Sequence, residues 1–191
     1  MDFAELVRKN RTYRRFDQSF SISKQTLRAL VDLARLTPSA RNAQPLKYAL
    51  ICDPAANAKV FPTLAWAGYL TDWPGPVEGE RPSAYIIVLG DKEIAQNFNI
   101  DPGIAVQTIL LGAVAQGLGG CIIASVNRKE LIPLLQIPDR YEVLFVLALG
   151  KPVEEVVVDP IAPSGDIKYW RDEKHVHHVP KRALDDLIVD L

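Results

Sequence analysis

The stretch from 102 to 116 constrains this chain most. Its residues Ile104, Ala105, Val106, Ile109, Leu110, Leu111, Ala113 and Val114 describe a helix that is apolar nearly all round. Such a helix cannot lie on a wet surface, so protein has to cover both of its sides. One domain of 191 residues is large enough to bury it, and a dimer would do so more easily. It is not a membrane span, because no apolar run in the chain reaches the ~20 residues needed to cross a bilayer.

Short elements surround that helix. The pattern predicts a helix over 2–9, with Phe3, Leu6 and Val7 on one face. Ser23 is placed to cap a second helix over 24–36, whose Leu27, Leu30, Val31 and Ala34 fall on one stripe and which Pro38 ends. Further helices are expected over 55–64 and 128–135, with strands over 48–52, 85–89, 121–124 and 143–149. Gly117 to Gly120 closes the apolar helix rather than opening one, so it reads as a turn and not as a phosphate loop. The sum is an α+β chain: one domain over 1–191, helices around a sheet of about four strands, and an extended arm over 153–191.

Charge and composition narrow the function. A net charge of −1 argues against a general nucleic-acid binder. Cys52 and Cys121 each sit inside an apolar run and read as buried free thiols. Residues 1–10 are amphipathic and charged, unlike a secretory leader, and the expected location is cytoplasmic with no membrane partner. Ser39 lacks the Gly-x-Ser-x-Gly setting of a hydrolase nucleophile. His175, His177 and His178 could ligate a metal, but a surface role is the expectation and no metal site is assigned. The 66–82 segment, with Trp66, Tyr69 and Trp73 among glycines and prolines, is long for a connection. Its aromatics serve either as loop anchors or as a lid.

Two stretches carry the chemistry. Arg11-Thr12-Tyr13-Arg14-Arg15-Phe16 places three guanidinium groups around a hydroxyl, a set suited to gripping a phosphate. Arg15 is expected to face solvent or an acidic neighbour. One helix later, Pro38-Ser39-Ala40-Arg41-Asn42-Ala43-Gln44-Pro45 offers small and amide residues to the edge of a flat polar ring.

Together these stretches resemble the FMN-dependent nitroreductase family, which carries Arg-Ser-x-Arg-x-Phe after its first helix and Pro-Ser-x-x-Asn-x-Gln-Pro after its second. The apolar central helix, the Gly-Leu-Gly turn into a short strand and the basic pair Lys181-Arg182 agree with it. Thr12 replaces the usual serine, and Asn10 stands where many relatives carry a basic residue. The resemblance implies a central, mostly antiparallel sheet flanked by helices, and a homodimer that exchanges the C-terminal arm. It also implies two FMN sites at the dimer interface.

By the same resemblance Arg11, Thr12 and Arg14 look like ligands of the FMN phosphate, ribityl chain and pyrimidine edge, and Lys181 and Arg182 complete the phosphate clamp. Pro38, Ser39, Ala40 and Asn42 resemble the loop donated by the other subunit. Ile122, Ala124 and Ser125 match the segment whose backbone lies near flavin N5. No side chain is assigned as catalytic. The implied activity is ping-pong hydride transfer from NAD(P)H through the flavin to a nitroaromatic, a quinone or a similar small oxidant. Dehalogenating or flavin-consuming chemistry, and flavin storage without turnover, are alternatives on the same scaffold.

Overall fold

A computed structural model describes residues 1–191. The helices are α1 (Phe3–Lys9), α2 (Lys24–Arg35), α3 (Pro54–Val60), α4 (Asp101–Ala115) and α5 (Arg128–Leu135). The strands are β1 (Phe16–Asp17), β2 (Leu46–Ile51), β3 (Ala84–Asp91), β4 (Gly119–Ile123), β5 (Tyr141–Pro152), β6 (Val156–Pro160), β7 (Trp170–Arg171) and β8 (His177–Lys181). No helix is long and apolar enough to cross a membrane.

The long strand β5 organises the main sheet. β3 pairs along one of its sides, while β4 and then β1 pair with its C-terminal half; β2 adds to β3, and every pair is antiparallel. Successive strand residues face opposite sides, so β3 divides the core in two. Ile86 and Val88 join Leu27 and Leu30 of α2 and Ile109 and Leu110 of α4. Tyr85 and Ile87 meet Val60, Trp66 and Leu131 on the other face. Every residue of β3 is buried. This is why its sequence runs apolar without alternating.

The apolar helix is largely covered within one chain: Ala105, Val106, Ile109, Leu110, Ala113 and Val114 are buried, against α2 and the sheet. Its end leads into the tightest backbone approach near the site. A β-carbon on Gly120 would stand 2.6 Å from the Ala148 carbonyl oxygen and 2.8 Å from side-chain carbons of Leu110 and Leu149. Backbone cannot yield there as a side-chain tip can. Gly120→Ala is therefore expected to cost about 1–3 kcal/mol, read as a lower urea midpoint at unchanged m-value.

Three expectations are revised. The helix over 55–64 stops at Val60 and tightens into a 3-10 turn, Phe61–Thr63, where Pro62 has no N–H to continue it. The sheet has five strands, and a second sheet of three follows it, ordered β6-β8-β7. The 153–191 arm is not extended throughout. Parallel pairing of β6 with β8, and antiparallel pairing of β7 with β8, fold it through Lys181 against its own chain. Residues 182–191 follow it and are exposed, Leu184, Leu187, Ile188, Val189 and Leu191 among them.

Candidate functional site

The first motif is laid down as a short extra edge beside β4. Asp2 and Glu5 cap α1 reciprocally, and Arg11 closes its far end, with Nε donating to the Asn10 carbonyl at 2.7 Å and Nη2 to Val7 at 3.2 Å. Thr12 then bridges Gly120, whose carbonyl accepts the Tyr13 N–H at 3.0 Å. The fully buried Glu154 carboxylate fixes the next two residues: Oε1 accepts the N–H groups of Arg14 and Arg15, and Oε2 accepts Arg171 Nη2 at 2.9 Å. Arg15 turns outward to an acidic neighbour, Glu80, through two bonds of 2.7 and 2.5 Å.

Arg14 turns inward. It is 9% exposed, with Nη1 3.2 Å from His177 Nε2 and its guanidinium carbon 4.8 Å from the centre of the Tyr169 ring. No carboxylate meets its side chain, since Glu154 receives its backbone N–H and pairs with Arg171 instead. A buried cation without a counterion is costly. It faces a cavity of about 250 Å³ whose walls include Arg11, Thr12, Tyr169, His177 and Lys181. The structure thus brings Lys181, from the far end of the chain, together with Arg11, Thr12 and Arg14 of the first motif. Arg182 lies just beyond the wall and is exposed.

The expectation of a surface role for the histidines is wrong for His177, which is 1% exposed. Alternation along β8 sends His177 to Arg14, whereas His178 stacks on Trp170 at 4.1 Å and reaches Asp159 at 2.7 Å. Burial first, and then the charges of Arg14, Arg171 and His178, push the His177 pKa from 6.5 to about 4. Between those values the unfolded chain binds a proton that the folded chain refuses, so stability is full above pH 6.5 and falls as the pH drops toward 4. The expected loss is roughly 2–3 kcal/mol. Urea unfolding across that window checks it, and His177→Gln should flatten the slope.

The second motif folds elsewhere. Ser39 Oγ donates to Asp101 Oδ2 at 2.5 Å and accepts the Gln44 N–H at 2.9 Å, while the Ala40 N–H donates to Asp101 Oδ1 at 3.0 Å. Arg41, Asn42 and Gln44 all hold left-handed φ, at 53°, 55° and 52°. Each such non-glycine residue carries strain of order 1–3 kcal/mol and persists where the surroundings impose it. Pro38 and Ser39 help wall a cavity of about 340 Å³ that shares no residue with the first, and Ala40 and Asn42 lie on the adjoining turn. Sequence reasoning misses Asp101, whose one signal is an acid at the first position of the apolar helix.

The third segment is open to solvent. Ile122 is exposed, and Ala124 and Ser125 wall a cavity of about 390 Å³. The Ser125 carbonyl accepts the Ala65 N–H at 2.9 Å, but no protein acceptor meets the N–H of Ala124 or Ser125. Ala65, which lines the same cavity, leads into the 66–82 loop. Trp66 anchors it in the core, where Gly75, at φ 123°, packs against the indole. Tyr69 instead joins the tail, its ring 5.0 Å from Tyr169, and Trp73 lies 4.1 Å from the Arg171 guanidinium. The loop therefore packs against the tail at Tyr169 and against β7 at Arg171.

Comparison with known proteins identifies the family and the fold. The nitroreductase family profile matches residues 7–151, about three quarters of the chain. The chain belongs to the nitroreductase family. It is 23% identical over 199 residues to the Bacillus subtilis protein named "Putative NAD(P)H nitroreductase YodC", covering 87% of this chain and 97% of that one. In fold it is similar to a nitroreductase-family structure from Exiguobacterium sibiricum, solved in complex with FMN (TM-score 0.69, 23% identity, 90% of this chain and 98% of that one). An FMN-dependent nitroreductase from Clostridium difficile superimposes with TM-score 0.65 at 22% identity, over 80% of this chain and 89% of that one.

Proposed function

We propose that this chain is an FMN-dependent NAD(P)H oxidoreductase that reduces nitroaromatics, quinones or similar small oxidants. The observation that carries the reading is Arg14: a buried guanidinium with no carboxylate, in one cavity with Arg11, Thr12 and Lys181. That donor set fits FMN, whose phosphate is an anion and whose pyrimidine edge presents acceptors. Arg11 and Lys181, with Arg182 from the exposed tail, would hold the phosphate, and Thr12 the ribityl chain. Arg14 would hold the pyrimidine edge, where a charged hydrogen bond is worth about 1.5–3 kcal/mol. The free N–H groups of Ala124 and Ser125 would face the reacting edge of the ring.

FMN bound there would supply two-electron transfer through N5. The protein's part is to bind, to orient and to keep the cationic edge directed at the pyrimidine. No side chain is required as a proton donor, since the reduced oxidant can take protons from water.

The complete site belongs to a homodimer in this reading. Pro38, Ser39, Ala40 and Asn42 would come from the second subunit, which is supported by their separation from Arg14 within one chain. A cytoplasmic location is part of the same proposal. The activity is tested by adding NADH or NADPH to FMN-loaded protein with menadione or nitrofurazone. Oxidant-dependent loss of absorbance from the reduced nicotinamide is expected. A chain that holds FMN but leaves NAD(P)H at the uncatalysed rate would remove turnover and leave a flavin-storage protein.

A further inference from the structure

We propose that His177 is the positioning residue of the flavin-site arginine: its ring accepts a hydrogen bond from one edge of the Arg14 guanidinium and leaves the other edge directed into the cavity. The cavity's occupant rests on the flavin reading above; the contact itself does not.

The chemistry of the two groups fixes their roles. A guanidinium only donates, so at 3.2 Å from Arg14 Nη1 the His177 Nε2 atom is the acceptor, and the one ring proton sits on Nδ1. That Nδ1 is buried and finds no partner. Among protein atoms the ring has one polar partner, and that partner is Arg14.

The His177 backbone N–H donates to the Glu155 carbonyl at 2.9 Å and fixes the main chain, while the ring packs 5.2 Å from Tyr169, the same ring that lies against Arg14. The charged and titratable groups around it are Arg14, Arg171 and Tyr169, with His178 on the opposite face of β8, Arg11 and Lys181 on the same cavity wall and Glu154 already engaged by Arg171.

The choice of a neutral acceptor has a consequence. A carboxylate at this position would steer Arg14 equally well, but it would cancel the positive charge that an anionic or electron-rich ligand needs. Neutral imidazole directs the cation and leaves its charge in place. Because His177 lies beyond the 7–151 stretch that matches the family profile, the device belongs to this chain's tail.

The test uses the full chain with two substitutions and one spectrum. FMN affinity, from quenching of flavin fluorescence, should weaken about tenfold in His177→Phe, which keeps a ring but no acceptor. It should return to within about threefold of the parent in His177→Gln, whose Oε1 can accept from Arg14. Independently of FMN, long-range nitrogen–proton NMR of the ligand-free chain should show His177 neutral, protonated at Nδ1, at neutral pH. A His177→Phe chain that binds FMN as tightly as the parent would overturn the proposal, and so would an Nε2–H tautomer or an imidazolium. If the parent itself binds no FMN, the proposed function fails, while the NMR result still decides whether His177 holds Arg14.

Discussion

Arg14→Ala is expected to weaken FMN binding by about 10- to 100-fold. That range corresponds to one lost charge-assisted hydrogen bond of about 1.5–3 kcal/mol. The fold should tolerate the change better than the site does. Removing an uncompensated buried cation relieves a desolvation penalty. It also leaves behind a neutral imidazole and the Tyr169 face, neither of which carries a charge to be stranded. The thermal midpoint of the ligand-free chain should therefore move little while the FMN dissociation constant rises. Arg14→Lys should recover only part of the affinity, because an ammonium cannot reproduce the planar fork. A variant that loses its fold along with its flavin would show that Arg14 is structural first.

Glu154→Ala is expected to act the other way, on stability above all. The Glu154 side chain is fully buried and Arg171 is 12% exposed, so their pair is shielded from solvent and salt. Truncating one member of a buried pair leaves an unpaired charge, at a cost of about 3–5 kcal/mol. Here the truncation also orphans the Arg14 and Arg15 N–H groups that Oε1 accepts. In a domain of this size that corresponds to roughly 6–20 °C in Tm. The first effect should be local, because Glu154 ties the N-terminal motif to the three-stranded sheet. Hydrogen exchange should show β7 and β8 losing protection before β3 and β5 do. Glu154→Gln keeps an acceptor for the backbone N–H groups but no charge for Arg171, and should fall between.

These two substitutions separate what was legible in the sequence from what was not. Elements with a clear period could be read from it: Ser23 does cap α2, accepting the Thr26 N–H, and α5 runs over the expected 128–135. The apolar run of β3 and the all-round apolar helix α4 also stand where the pattern put them. Two-residue strands such as β1 and β7 have no period to detect. The tail misled for a related reason. Its histidines read as surface within an extended arm, yet Tyr169 and His177 are its inward face and meet Arg14 only through tertiary folding, 163 residues apart for His177.

Within the site, the residue types pointed to an anion, but local sequence could not say which basic residue faces it. Arg11 donates to the end carbonyls of α1, Arg15 to Glu80, and Arg14 alone of the three is buried without an acid. That distinction is made by Glu154 and Glu80, which no spacing rule connects to the motif. The Pro38–Pro45 loop was legible as a special turn, but its anchor Asp101 was hidden at the start of a helix read for its apolar residues.

The most direct test of the central claim is titration of the flavin-stripped chain with FMN, followed by flavin fluorescence and equilibrium dialysis. Saturable binding of one FMN per chain is expected, with a low-micromolar or tighter Kd that Arg14→Ala weakens. A chain that leaves flavin fluorescence unquenched and retains no FMN on dialysis would contradict it.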